Sequence, residues 1–287
     1  MALLVMTDSV GSRAQTAPAP KPQLPKTLRL YVFDCGLLNI TTEGVERYHV
    51  TPTEVGETRM SVPCFLVVHP KGTLMWDLGV IPDRLVEGQV QGARSTVNVT
   101  AAAVVTRTLT SQLAQIGYRP QDITFFAISH AHRDHSANAN AFAHSTWLAR
   151  PAERDFMWAE NNPRVDPSFY SDLKTSKSVV MLTKDEHDVF GDNQVIIKSA
   201  PGHTPGHQVL IVKLAVTGRV MLSGDLYHYP PERTFQREPP DNEFSVEQSA
   251  ASRVKIEDYL QKTKTTLWIE HDFAANAKLK KSPDYYE

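Results

Sequence analysis

Four side chains able to bind a metal ion fall within six residues of this chain: His130, His132, Asp134 and His135. His130 and His132 are two apart, so on an extended segment they point the same way. Asp134 and His135 then need a turn to reach a neighbouring point. Three further candidates stand alone downstream. His203 lies in the run Ala200-Pro-Gly-His-Thr-Pro-Gly-His207, Asp225 in Ser223-Gly-Asp, and His271 in Ile269-Glu-His-Asp272. Imidazole and carboxylate together suit zinc, iron, manganese or nickel rather than calcium or magnesium. A lone histidine more often makes ordinary hydrogen bonds in the core or at the surface. His49, His69, His144 and His187 are read that way. His207 is read as structural or as support for a ligand, and Glu270 and Asp272 as outside the ligand set.

The elements that must position these groups follow from the apolar pattern. Strands are expected over Leu28–Phe33, Cys64–Val68 and Thr73–Asp77, the last two joined by the turn His69-Pro-Lys-Gly72. A helix is expected over Asn98–Ile116, where Val105, Leu109, Leu113 and Ile116 fall near helical spacing and Gly117 ends it. Ile123–Ile128 is a nearly continuous apolar run of the kind that forms a buried strand. The cluster beginning at His130 follows it directly, and a helix is expected to begin over Ala137–Phe142. Further strands are expected over Ser178–Leu182, Val195–Ser199, Gln208–Leu214, Arg219–Ser223 and Thr265–Ile269. A helix from Ser245 to about Leu260 opens on the capping pattern Ser245-Val-Glu-Gln248. Strands dominate both halves with helices between them, which indicates an α/β fold with sheets inside and helices outside. Each ligand candidate follows an apolar run, so all can project from one rim of the sheets.

Bulk properties narrow the class. The chain has 287 residues, 41% hydrophobic and 22% charged, with a formal net charge of −2. That balance is ordinary for a globular protein and lacks the basic excess of a nucleic-acid binder. No apolar run approaches the roughly 20 residues that span a bilayer. Cys35 and Cys64 are expected as two buried thiols, with a single disulfide as the alternative in an exported protein. Residues 1–27 read as a flexible, Ala- and Pro-rich lead-in or a degenerate signal region. Residues 28–287 read as one folded domain. Location stays open between the cytoplasm and export to the periplasm.

The ordered set His130, His132, Asp134, His135, His203, Asp225 and His271 resembles the metallo-β-lactamase superfamily, from about Leu28 to about Phe273. The resemblance implies an αββα sandwich, two mixed β-sheets flanked by helices, with two divalent ions at one edge. It puts His130, His132 and His203 on the first ion and Asp134, His135 and His271 on the second, with Asp225 bridging. Zinc is the first expectation; iron, cobalt, manganese and nickel are the alternatives. Asp77, in Trp76-Asp77-Leu78-Gly79, matches a short family motif and is expected to orient a ligand histidine. Two such ions can share a hydroxide and polarise a carbonyl.

Within the superfamily, Asp225 speaks against an antibiotic-resistance β-lactamase. The run His203-Thr-Pro-Gly-His-Gln208 and the early Asp34-Cys35-Gly36 are similar to the N-acyl homoserine lactonases. Those enzymes open the lactone ring of bacterial quorum-sensing signals. They use a tyrosine three residues after the bridging aspartate, where this chain has His228 between Tyr227 and Tyr229. Any of the three is a candidate to assist the carbonyl or the leaving alkoxide, alongside Asp134 and Asp225. The Pro-rich loop from Tyr229 to Pro240, with Phe156, Met157, Trp158, Phe169 and Tyr170, is expected to line an apolar acyl pocket. The alternatives are a β-lactamase-like hydrolase, a thioesterase or an arylesterase, then an iron-dependent oxidoreductase of the same superfamily. The partner implied is a small-molecule lactone or ester. Related lactonases are often dimers, so a homodimer is a further expectation.

Overall fold

The computed structural model describes residues 22–86, 93–98 and 101–287. Most of the expected lead-in therefore lies outside the described residues. At its end, the Thr27 hydroxyl donates to Glu287 Oε1 (2.8 Å). Two sheets form the centre. The first contains β1 (Arg29–Ile40), β2 (Met60–His69), β3 (Gly72–Trp76), β4 (Ala93–Asn98), β5 (Ala101–Val105), β6 (Phe125–Ala127), β7 (Thr146–Ala149) and β8 (Val179–Met181). The second contains β9 (Glu186–Asp188), β10 (Val195–Ser199), β11 (Gln208–Leu214), β12 (Gly218–Leu222) and β13 (Thr266–Trp268), and the short β14 (Tyr285–Tyr286) returns to pair with β1. The strand orders are β4-β5-β1-β2-β3-β6-β7-β8 and β13-β12-β11-β10-β9.

Alternation of side chains builds the layers. Leu30 and Val32 of β1, Phe65 and Val67 of β2, and Leu74 and Trp76 of β3 share one apolar cluster with Val195 and Ile197 of β10 and Val220 and Leu222 of β12. Side chains on one face of a strand recur every second residue. The intervening Tyr31, Phe33, Leu66 and Met75 therefore face the opposite way, where they pack with Leu109 and Leu113 of the helix Leu109–Gln115. On the outer face of the second sheet, Ile196, Ile211 and Met221 meet Ile256 and Leu260 of the helix Val246–Thr263. The Ser245 hydroxyl caps that helix by accepting from the Gln248 N–H (3.2 Å). The result is helix, sheet, sheet, helix, the expected αββα sandwich. Among the described residues, no helix is long and apolar enough to cross a membrane.

Two expectations are corrected. Residues 101–105 are a strand, and the helix begins only at Leu109, capped by Thr108; residues 99 and 100 lie outside the described residues. The competing partner is β1, which runs on to Ile40 and pairs its Leu37–Ile40 with Ala101–Val104. A ladder of backbone hydrogen bonds there outweighs a helical spacing carried by few residues. Cys35 and Cys64 are not thiols but a disulfide, with Cα atoms 5.8 Å apart. β1 changes register against β2 between Asp34 and Leu37. Such a bulge re-aims side chains and sets Cys35 beside Cys64.

The strand directions gather the candidate ligands. β3 runs parallel to β6, and β12 runs parallel to β13. Asp77 follows β3, His130 follows β6 and Asp225 follows β12. His203 and His271 lie beyond the carboxyl ends of β10 and β13. All project from one rim, where ligands collect in open α/β sheets.

Candidate metal centre

The seven candidate ligands converge in two sets. In the first, His130 Nε2 lies 2.8 Å from His132 Nδ1, and His203 Nε2 lies 2.9 Å from the same nitrogen. Asp225 Oδ2 lies 3.6 Å from His130 Nε2 and 3.2 Å from His203 Nε2. In the second, Asp225 Oδ1 is 3.1 Å from both His135 Nε2 and His271 Nε2. Asp134 Oδ2 is 3.8 Å from His135 Nε2 and 3.5 Å from His271 Nε2. A tetrahedron with zinc–nitrogen arms of 2.0–2.1 Å has edges of about 3.3 Å, so both sets have the span of a metal's ligand shell. His132 Nε2, His135 Nε2 and Asp225 Oδ1 are buried with no hydrogen-bond partner among the described residues. Orphaned lone pairs on His135 and Asp225 that face one point are costly unless a cation sits there. These residues fit a pair of metal ions.

The outer ring nitrogens are held. His135 Nδ1 lies 2.9 Å from Asp77 Oδ2, and His203 Nδ1 lies 3.0 Å from Glu243 Oε1. His271 Nδ1 donates to the Ser61 carbonyl (2.8 Å), and His130 Nδ1 sits 3.1 Å from Ser129 Oγ. Such partners fix ring orientation and tautomer. Asp77 adopts a left-handed φ of 54°, a conformation Asp tolerates better than most residues. There it also accepts from the Ser129 N–H (2.6 Å) and hydroxyl (2.9 Å).

One buried carboxylate ties the ligand loops together. Glu153, on the helix Pro151–Met157, accepts from the Ala131 N–H (2.6 Å), the Thr204 hydroxyl (2.6 Å) and the Gly206 N–H (2.9 Å). Gly206 permits this approach, since a Cβ there would stand 2.5 Å from the Glu153 backbone nitrogen. His207 has a supporting role: its Nε2 accepts from the Asp225 N–H (3.0 Å) and its Nδ1 donates to the Ala200 carbonyl (2.9 Å). Gly224 leaves room for that contact, because a Cβ would meet His207 Nε2 at 2.6 Å.

The electrostatics divide the candidate ligands: against the lowering effect of burial, Asp225 raises His135 and His271, and Glu243 raises His203. Burial, then the charge of His135, holds the His130 imidazole well below its ordinary pKa. Burial, then Arg164, does the same for His132. Both are therefore neutral, the form that offers a lone pair. Burial works to raise Asp225, but His271, His135, His130 and His203 overcome it and hold the carboxylate well below its usual range. Burial likewise works to raise Glu243, and His203 pulls it down to about 2.

Of the three residues at the tyrosine position, only His228 turns to the centre. Its Nε2 is 3.4 Å from Asp225 Oδ2 and its Nδ1 is 3.6 Å from Glu232 Oε1. The Tyr227 hydroxyl donates to Glu257 (3.2 Å) and the Tyr229 hydroxyl to the Thr58 carbonyl (2.6 Å). A cleft of about 280 Å³ opens over the centre, and His132, Asp134, His203, Asp225, His228 and His271 form its floor. The expected acyl wall is corrected here. Met157 and Tyr170 are in the core on the helix side of the first sheet. Trp158 packs edge-on to Tyr170 (5.4 Å), and Phe156 stands 6.2 Å from the His132 ring without lining the cleft. The cleft instead has Leu38, Ile40, Tyr48 and Met60 on one side. Glu153, Glu243, Glu232 and Tyr48 were not visible as site residues in sequence. Only the Glu232 spacing, four after His228, carried a local signal.

Comparison with known proteins agrees with this architecture. The profile of the Metallo-beta-lactamase superfamily matches residues 58–263. The chain is 24% identical to the N-acyl homoserine lactonase AttM of Rhizobium radiobacter over 265 residues, covering 90% of this chain and 98% of that protein. It is 25% identical to an N-acyl homoserine lactonase of Bacillus sp over 263 residues, with the same coverage of 90% and 98%. Among solved structures, an N-acyl homoserine lactone hydrolase with N-hexanoyl-L-homoserine at its catalytic metal center superposes with a TM-score of 0.73, at 22% identity, over 90% of this chain and 99% of that one. The dizinc quorum-quenching lactonase AidC superposes with a TM-score of 0.62, at 18% identity, over 88% and 90%. With the fold, the rim position of the site and the matched span in agreement, this chain belongs to the metallo-beta-lactamase superfamily.

Proposed function

We propose that the chain is a dinuclear metal-dependent hydrolase that opens the lactone ring of N-acyl homoserine lactones. The observation that carries this reading is Asp225, whose two oxygens face separate ligand sets on opposite sides. His130, His132 and His203 would hold one ion and Asp134, His135 and His271 the other, with Asp225 shared. Zinc suits the donor set best, with iron, cobalt, manganese and nickel able to substitute. When bound, such a pair supplies an activated water and a Lewis acid for a carbonyl oxygen. The lactonase relatives support the choice of a lactone.

The protein's own groups do the rest. His228 presents Nε2 to the cleft floor, where it can donate a hydrogen bond to a substrate oxygen. The backbone N–H groups of His228 and Tyr229 both donate to Glu232 Oε1 at 2.8 Å, which fixes the turn that carries the imidazole. Arg253 secures Glu232 from behind (2.7 Å). Replacing His228 by Phe is expected to lower kcat about 100-fold, as loss of one placed donor does, with the metal content retained. Tyr227→Phe and Tyr229→Phe are expected to change kcat less than His228→Phe. Equal kcat losses in all three variants would remove the special role of His228.

The reading is tested by proton release from the metal-quantified protein with short- and long-chain N-acyl homoserine lactones. A β-lactam, a thioester and an aryl ester run alongside. Ring opening faster than any of the other three is the expected outcome. A fully metallated protein that spares the lactones and cleaves one of the others would replace the lactonase reading with that activity.

A further inference from the structure

Among the described residues, Tyr48 is the one phenol that lines the cleft over the candidate metal centre. Local sequence puts it there. The Thr41 hydroxyl caps the helix Thr42–Glu46 by accepting from the Gly44 N–H (3.0 Å). The Tyr48 N–H then donates to the Val45 carbonyl (3.0 Å), and His49 follows with a left-handed φ of 56°. The Tyr48 ring packs in one apolar cluster with Val45, Val50 and Tyr229. Two neighbouring rings hold it: His228 at 4.4 Å between centroids, and Tyr229 edge-on at 5.4 Å. The hydroxyl accepts from Arg47 Nη2 (2.8 Å), and among the described residues no group accepts its own proton. A phenol can donate as well as accept, and a buried donor without an acceptor is costly. Its bond from a guanidinium polarises the O–H and strengthens the next bond in the chain. Burial pushes the phenol above its ordinary range, so the proton is in place.

The surroundings of that hydroxyl match one part of the substrate. His228 presents Nε2 at the floor, 3.4 Å from Asp225 Oδ2. Tyr48 stands one ring over from it, on the wall that also has Leu38, Ile40 and Met60. In an N-acyl homoserine lactone the amide oxygen lies roughly 4 Å from the scissile carbon, and the alkyl chain runs on beyond it. A scissile carbonyl beside His228 therefore brings the amide to Tyr48 and the chain to the apolar side chains. An amide carbonyl laid against that wall without a donor would lose its hydrogen bond to water. Resting on the lactonase reading above, we infer that the Tyr48 hydroxyl donates a hydrogen bond to the substrate's amide carbonyl. Tyr48 is thereby the residue that selects N-acyl lactones over plain alkyl lactones. A site built around a buried hydrogen bond discriminates against the analogue that cannot make it, because its own polar group is then left unpaired.

The test compares wild type and Tyr48→Phe, both metallated, on two lactones of matched length. One is N-hexanoyl-homoserine lactone; the other is α-heptyl-γ-butyrolactone, which has methylenes in place of the amide. The Phe variant keeps the ring and its packing on His228 and loses only the hydroxyl. Its kcat/KM on N-hexanoyl-homoserine lactone is expected to fall about tenfold, the size of one polarised hydrogen bond. Its kcat/KM on the alkyl lactone should stay at the wild-type value. A ring that merely packs the wall would change both substrates alike. An equal loss on the two lactones, or no loss on either, overturns the inference and leaves the lactonase reading standing. Calorimetric binding of the same two lactones gives a readout without turnover. If wild type opens neither lactone, the lactonase reading fails and binding decides the role of Tyr48. Affinity about tenfold weaker in the variant for the amide lactone alone upholds the amide contact. Equal affinities, or no binding, sink it.

Discussion

Asp225→Ala is expected to reduce bound metal from two ions per chain to at most one, and to lower kcat/KM on a lactone by more than about 100-fold. Loss of a residue that merely supports a ligand costs 10–100-fold in affinity or activity. Asp225 touches both ligand sets directly, with oxygens 3.1 to 3.2 Å from His135, His271 and His203. Its removal also leaves a buried cluster of imidazoles without its central negative charge, so the histidines that favour a proton because of Asp225 lose that support. Metal analysis of the purified variant, with the activity measured on the same sample, checks the result. Retention of two ions with wild-type turnover would mean that the bridging geometry is incidental.

Glu153→Ala is expected to lower unfolding stability by about 4 kcal/mol, since each buried donor left without a partner costs about 1–3 kcal/mol. The carboxylate accepts from three groups at 2.6 to 2.9 Å, on the loops that carry His132 and His203. Cutting this clamp should let those loops separate, so metal affinity should fall about 10–100-fold as well. Glu153→Gln keeps the volume and one acceptor oxygen, and it should recover part of both losses. Denaturant unfolding and competition with a chelator measure the two effects separately. A variant that loses stability but keeps full metal affinity would make Glu153 a core residue without a hold on the site.

The parts of this account legible in sequence are those written locally. The four candidate ligands between His130 and His135 stand directly behind an apolar strand, and His203, Asp225 and His271 share that context, so a common rim is legible in the sequence itself. The supports are not. Glu153 reaches Ala131, beside His132, across 22 residues and Thr204, beside His203, across 51, while Glu243 reaches His203 across 40, and nothing near either carboxylate marks it. The same is true of Tyr48, brought to the cleft by the short helix Thr42–Glu46 that follows β1. Strand β5 was hidden because Val105, Leu109 and Leu113 keep a helical spacing, while the partner that makes the segment a strand lies some 60 residues earlier in β1. The disulfide depends on a bulge that alters the register after Asp34. The aromatic run from Phe156 to Tyr170 misled for a general reason. Large apolar side chains serve cores more often than pockets, and here they fill the layer between the first sheet and its helices.

The most direct test of the central claim is to titrate the metal-free protein with zinc while following proton release from N-hexanoyl-homoserine lactone. Turnover is expected to climb and level off at two equivalents of zinc per chain. Full activity at one equivalent, or ring opening by protein shown to be free of metal, would contradict it.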